Sequence, residues 1–344
     1  MITTRHRTML RAICGRPRTA REFTNEQINR RTTMTELALF GTDLFGEAIK
    51  PKASGPLAEL FTVPPFSVLD ARSGEWQNRK DAWKRLGLRS EVGRKEDMAG
   101  ASWGAAWMEK HGDGSKRDTN GTSVFDPLMC ELAYRWFSPA GGQVVDPFAG
   151  GSVRGIVAGA LGRHYWGCDL RPEQIAANEA QADEIPTERR PVWVCGDSME
   201  TLADAPEADL VFSCPPYGDL EKYSDDPRDL SAMDWHAFVA AYKRIILRAV
   251  GRMKPDTFAC FVVGDFRDGR GFYRNFVSTT IEAFEECGAR LYNEAILLQA
   301  TGTAAMRATK QFTASRKLVK LHQNVLVFCK GDWKKAAARC AAGI

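Results

Sequence analysis

The chain has 344 residues, enough to bury a sizeable core in one large or two modest domains. With 44% apolar and 26% charged residues and a net charge of +4, its composition is that of an ordinary soluble globular protein, and no apolar run approaches the ~18 residues of a membrane span. Nine scattered cysteines without a C-x-x-C pair and five dispersed histidines argue against a metal site and for reduced thiols in a cytosol.

Residues 1–33 carry eight arginines against Glu22 and Glu26, a net +6 that leaves the remaining chain at −2. They show no apolar periodicity and read as a basic, disordered tail. The body is therefore not globally basic, and any nucleic-acid contact must come from local patches or from this tail. Residues 34–120 read as an N-terminal extension, partly helical and partly loop. Trp76 and Trp83 suit one face of a short helix over 72–86. Residues 90–121 are polar and rich in Gly, Asp and Lys, and read as loop. Val63-Pro64-Pro65-Phe66 follows no clear strand and reads as a packing turn.

From Pro127 the pattern is regular. A helix over 127–137 is followed by the strand QVVDP, a helix over 153–161, the strand HYWGCD and a helix over 172–182. VWVC and ADLVFS are strands, 233–253 is a long helix, and TFACFVVG is a strand. A helix over 272–287 then leads to the strands YNEAILLQA and HQNVLVFCK. Strands alternating with helices predict a parallel sheet covered on both faces. No helix is expected between the last two strands, which predicts an antiparallel pair at that end.

Functional signals cluster at strand ends. Gly150 and Gly151, in DPFAGGSVRG, allow a sharp turn and a close ligand approach. Asp169 ends the next strand, where a carboxylate can accept hydrogen bonds from a ribose diol. Asp197 and Ser198 follow the third strand. In a parallel sheet these ends share one edge, where open α/β folds bind ligands. Ser152 stands where the second glycine of G-x-G-x-x-G belongs, which weakens a dinucleotide reading. The strand ADLVFS then stops in Ser213-Cys214-Pro215-Pro216-Tyr217. Neither proline donates a backbone hydrogen bond, so the pair cannot continue a central strand.

DPFAGG, an Asp-ended second strand and a PPY-ended fourth strand together resemble the DNA amino-methyltransferases, phage or prophage members included. The resemblance covers residues 121–332. It implies methyl transfer from S-adenosylmethionine to adenine N6 or cytosine N4, on a doubly wound, Rossmann-like α/β sheet that is mostly parallel with an antiparallel last strand. By the same resemblance, Asp146, Phe148, Gly150 and Gly151 belong to the cofactor loop, and Asp169 is the ribose acid. Asp197 and Ser198 lie near the cofactor's adenine amine. Thr122, Ser123 and Phe125, in GTSVFDP, help hold the methionine end. Cys-Pro-Pro-Tyr resembles the catalytic tetrapeptide, whose first residue is normally Asp, Asn or Ser.

The residue types suit the chemistry. An exocyclic amine is a poor nucleophile because its lone pair is delocalised into the ring. Acceptors for its N–H groups favour a pyramidal, nucleophilic nitrogen. The prolines hold a backbone carbonyl rigidly as one such acceptor, and Tyr217 can stack on a base that has left the helix. Cys214 departs from the pattern because sulfur is a weak acceptor. Ser213 supplies the oxygen only if the turn is slightly shifted. The reaction needs no metal.

Residues 301–322 carry Arg307, Lys310, Arg316, Lys317 and Lys320 with no acid, and form a candidate DNA-recognition loop in which Gln311 can read an adenine edge. The loop after Tyr217 is acidic and is expected to close over the base. Residues 333–344 read as a C-terminal tail. The resulting expectation is a cytoplasmic, bacterial or phage-borne DNA methyltransferase, with adenine slightly ahead of cytosine. An RNA or protein amide methyltransferase, an inactive DNA-binding homologue and a nicotinamide oxidoreductase are the competing readings.

Overall fold

A computed structural model describes Leu39 and residues 55–89, 125–218, 224–299 and 304–341. The chain divides into two compact units, residues 1–49 and 50–344, and every element named below belongs to the second. The basic tail and the loop expected over 90–121 lie outside the described residues.

Eight strands form one sheet in the order β1-β7-β8-β6-β5-β2-β3-β4. They are β1 (Val68–Asp70), β2 (Gln143–Asp146), β3 (His164–Asp169), β4 (Val192–Cys195), β5 (Ala208–Ser213), β6 (Met253–Val263), β7 (Ala289–Leu298) and β8 (His322–Lys330). β8 pairs antiparallel with both neighbours, and the other pairings are parallel. This is the doubly wound α/β sheet with an antiparallel last strand that the pattern predicts.

The helices are α1 (Pro56–Phe61), α2 (Gly74–Arg85), α3 (Pro127–Phe137), α4 (Val153–Ala160), α5 (Pro172–Glu184), α6 (Ser198–Thr201), α7 (Trp235–Arg252), α8 (Phe276–Glu286), α9 (Ala304–Ser315) and α10 (Trp333–Cys340). Every residue of β5 is buried, as its unbroken apolar run requires. Phe238 and Tyr242 of α7 stack 5.8 Å apart, and Phe276 of α8 closes on Tyr242 at 5.1 Å. This aromatic cluster lies beneath the ends of β5 and β6.

Several expectations are corrected. Part of the stretch read as an N-terminal extension joins the sheet: β1 extends it beside β7, and α2 packs on α3. In it, Pro65 and Phe66 are exposed, so Val63–Phe66 is a surface turn and not a packing one. Second, α9 stands between β7 and β8, where no helix is expected. The antiparallel pairing of these strands is correct, but the missing helix is not its cause. Third, the C-terminal tail contains α10, which buries Ala336 and Cys340. Arg339 of α10 donates to Asp209 at 2.5 Å. The helix expected from 272 starts only at Phe276, because residues 266–274 fold back as a small hairpin.

The α2–α3 junction is held by two carboxylates. Asp126 caps α3 through the Leu128 N–H at 3.0 Å, and accepts from the Trp76 indole at 3.0 Å and the Lys80 ammonium at 2.9 Å. Glu131, fully buried, accepts from Arg79 at 2.7 and 2.8 Å, Arg135 at 2.8 Å and the Trp83 indole at 2.8 Å. Burial alone would push the Glu131 carboxyl up, but Arg79, Arg135 and the Trp83 hydrogen bond outweigh it and hold it at about 2. A carboxylate held below its unfolded value of ~4.3 gives stability that is complete above that pH and is lost as pH falls toward the folded value. Glu131→Gln leaves Arg79 buried without its counter-charge and is expected to cost about 3–5 kcal/mol at pH 7. Urea denaturation checks this: the gap between wild type and variant should narrow from pH 7 to pH 3, and an unchanged gap would contradict it.

Candidate active site

The chain runs from β2 outward through β3 to β4, then crosses back to place β5 on the other side of β2. The loops leaving β2 and β5 therefore diverge, and open a crevice beyond the strand ends at this switch point. A cavity of about 530 Å³ fills it. Its walls include Phe148, Gly150 and Gly151 after β2, Asp169 after β3, Asp197 and Ser198 after β4, and Cys214 to Tyr217 after β5. Residues read from four separate stretches thus share one cavity.

The turn after β2 is built on Asp146. Its carboxylate is buried and accepts from the Arg154 guanidinium at 2.6 Å, the Tyr165 hydroxyl at 2.7 Å and the Ser213 hydroxyl at 2.5 Å. Arg154 also donates to the carbonyls of Phe148 and Ala149, locking the loop's shape. Burial opposes the Arg154 charge, but Asp146 more than compensates and raises its pKa. Asp146 is buried and is not among the residues that line the cavity. It is instead the post around which the loop bends. Gly150 takes a φ of +51°, a conformation that favours glycine.

Asp169 accepts from the Gly150 N–H at 3.1 Å and the Arg171 N–H at 2.9 Å. Burial raises its pKa, and Arg171 and these backbone donors oppose the rise. Each carboxylate oxygen keeps a lone pair for another donor. Asp197 caps α6 through the Met199 N–H at 2.8 Å. The Ser198 hydroxyl donates to the Pro147 carbonyl at 2.6 Å, so it ties the loops after β4 and β2 together. Phe148 stacks on Tyr242 at 5.9 Å, and Phe125 lies under the Arg154 guanidinium at 4.9 Å. Thr122 and Ser123 lie outside the described residues.

At the end of β5 the tetrapeptide is sharply divided. Ser213 is fully buried and its hydroxyl is donated to Asp146, so it cannot face a substrate. This corrects its candidacy as a catalytic acceptor. Cys214, Pro215, Pro216 and Tyr217 all line the cavity. The Tyr217 ring contacts Phe266 at 6.3 Å and Phe276 at 6.1 Å. Its hydroxyl lies 3.9 Å from the Cys214 sulfur and 2.5 Å from the Gln323 amide nitrogen. Gln323 in turn accepts from the Gln299 amide at 2.8 Å. A polar chain therefore runs from Cys214 through Tyr217 and Gln323 to Gln299, and all four residues border the cavity.

Several of these residues were not among the sequence candidates. Gln299 and Gln323 meet only because β7 and β8 pair antiparallel, with Leu297 opposite Gln323. Gln77 and Lys80 reach the cavity because α2 docks on α3. In the loop after Tyr217, residues 219–223 lie outside the described residues. Arg228 and Asp229 line the cavity, and their charges act on Asp197 and Asp169 respectively. This part of the loop serves the acidic end, not the tetrapeptide where closure was expected.

The basic segment is α9 followed by an extended stretch. Arg307, Lys310, Gln311 and Arg316 are exposed, while Lys317 and Lys320 are half-buried. A Cβ added at Gly264 would meet the Gln323 side chain at 3.8 Å and Lys320 and the Tyr217 hydroxyl at 3.9 Å each. The basic segment thus begins its return beside the tetrapeptide. Among the described residues no group of three or more potential metal ligands is found, and no helix is long and apolar enough to cross a membrane.

No family model and no curated protein matches the chain. Solved structures with a similar frame include magnesium protoporphyrin IX methyltransferase from Synechocystis PCC 6803 with bound SAM, at 10% identity and a TM-score of 0.40, covering 69% of this chain and 95% of that one. A provisionally named RNA methyltransferase from Pyrococcus horikoshii has 15% identity and a TM-score of 0.38, covering 60% and 82%. A provisionally named DNA modification methylase from Thermus thermophilus has 21% identity and a TM-score of 0.30, covering 40% and 51%. Likenesses this distant carry neither substrate nor activity across.

Proposed function

We propose that the protein is an S-adenosylmethionine-dependent methyltransferase acting on the exocyclic amine of a DNA base, adenine N6 ahead of cytosine N4. The observation that carries this reading is one cavity with two chemically distinct ends. A glycine turn with Asp169 and Asp197 forms one end, and Cys-Pro-Pro-Tyr with two glutamine amides forms the other. Residues 121–332 carry the activity, with the helix at 74–85 completing the wall. A bacterial or phage-infected cytoplasm suits such an enzyme.

The residues at the first end fit the cofactor. Asp169 accepts the ribose hydroxyls, the Gly150–Gly151 turn permits a close approach, and Asp197 accepts from the adenine amine. When bound, S-adenosylmethionine supplies an electrophilic methyl group. At the other end, Tyr217 stacks on the flipped base, a contact worth roughly 1–3 kcal/mol. A backbone carbonyl beside the prolines accepts one N–H of the target amine. The amine nitrogen forms the new bond to the methyl carbon, that carbon's bond to sulfur breaks, and the surplus nitrogen proton leaves to water. Positioning supplies most of the rate. The order of the two bases rests on the resemblance to phage-type members, many of which modify adenine.

The test is transfer of a labelled methyl group to unmethylated DNA, RNA and protein, followed by nucleoside analysis of the DNA. N6-methyladenine is the expected product. Label in RNA or protein but not in DNA would overturn the substrate, and donor binding with no transfer would indicate an inactive homologue. Asp169→Ala is expected to weaken donor binding about 10- to 100-fold in calorimetry, because it removes charge-assisted hydrogen bonds. Unchanged affinity would remove the ribose role.

A further inference from the structure

The hairpin after β6 is a second feature of the site's rim. Phe266 at its base packs on Tyr217, and Arg267 bridges to Tyr273 with its guanidinium 3.9 Å from the ring. Arg267 also donates to the Gly271 carbonyl at 2.9 Å. Asp268 accepts from the Phe272 N–H at 2.9 Å, and Asp265 accepts from the Val277 N–H at 3.1 Å, so both acids of the hairpin are engaged in holding its shape. The tip, held by these hydrogen bonds, presents Phe272 at 70% exposure next to Arg270, which is exposed while pairing with Asp268 at 3.5 Å. A single exposed ring is ordinary on a protein surface, and Phe272 gains meaning only from what lies beside it.

The tip also meets the basic segment. Lys317 lies against Gly271 so closely that a Cβ there would collide with the ammonium. Helix α9 buries only Ala304 of its 12 residues and exposes Met306 and Phe312. An isolated helix of this length is marginal in water, so its packing face awaits a partner. The charge says which partner. Residues 304–322 hold five Lys or Arg and no acid, and the hairpin 264–275 adds a net +1. Aromatic rings interleaved with cations match a nucleic-acid strand, with rings stacking on bases and cations contacting phosphates.

We propose that the hairpin 264–275 and the segment 304–320 form one continuous ridge that binds the DNA strand beside the flipped base, with Phe272 and Phe312 as stacking platforms. The inference rests on the DNA reading above. The hairpin joins the ridge to the reaction through Phe266, which contacts the ring that stacks on the target.

The experiment measures fluorescence-anisotropy Kd of the full chain for a labelled unmethylated duplex, as a function of salt, for wild type, Phe272→Ala and Arg270→Glu. Each variant is expected to bind at least about tenfold more weakly, with donor affinity by calorimetry and the urea midpoint unchanged. Arg270→Glu should also lower the slope of log Kd against log salt by about one unit. Wild-type Kd in both variants, or no duplex binding by the wild type, overturns the ridge. Duplex binding that weakens as expected while no base is methylated leaves the ridge standing and overturns the methylation reading instead.

Discussion

Replacing Tyr217 by alanine should lower kcat for methyl transfer by about 10²-fold or more while leaving donor affinity within a fewfold of wild type. The ring is held by Phe266 and Phe276, and its hydroxyl by Gln323, so on the proposed function a flipped base would meet a surface that does not have to be organised at the moment of reaction. Pro216→Ala should behave similarly, because it releases the backbone whose carbonyl faces the amine. Cys214→Ala should retain activity within about tenfold, since sulfur is a weak acceptor. Tyr217→Phe keeps the ring and loses the hydroxyl's contacts with Gln323 and Cys214, and should lie between Cys214→Ala and Tyr217→Ala. Single-turnover transfer with calorimetric donor binding reads all four. A dead Cys214→Ala with intact donor binding would make the thiol central.

Asp146→Ala should destabilise the protein by about 3–5 kcal/mol, because it strands a buried guanidinium and removes the acceptor of two buried hydroxyls. Arg154 is 5% exposed and has Asp146 as its ion-pair partner at 2.6 Å. Donor affinity should fall as well, since Arg154 shapes the loop through the carbonyls of Phe148 and Ala149. The double variant Asp146→Leu/Arg154→Met should recover part of the lost stability but not the lost affinity. Removing the pair relieves the unpaired charge without rebuilding the turn. Urea denaturation and donor calorimetry separate the two effects. A stability loss below about 1 kcal/mol for Asp146→Ala would show that the ion pair is not the post of the loop.

The comparison of sequence and structure divides by range. Every strand from β2 to β8 is legible, because each is a short apolar run bounded by turn residues. β1 is missed: three residues are too few for a pattern, and its partner β7 lies more than 200 positions away in the chain. The helix α9 is missed because it has almost no buried face, and so no apolar stripe to read. Asp169 and Asp197 are legible because strand ends of a parallel sheet share an edge by construction. The burial of Ser213 and Asp146 is not legible, because side-chain direction alternates along a strand and only the fold shows that the hydroxyl and the carboxylate turn inward onto each other.

The sequence by itself determined the alternation of strands and helices, the glycine turn and the proline-stiffened end of β5. These follow from local chemistry, namely apolar runs, glycine's freedom at positive φ and proline's missing donor. Only the tertiary structure decided which of those residues face the cavity and what faces them. It turned Ser213 away and left Cys214 in place. It brought Gln323 to Tyr217 across 106 positions of chain, and set Lys317 against Gly271. Such meetings depend on strand pairing and helix docking between distant segments, and no local pattern encodes them.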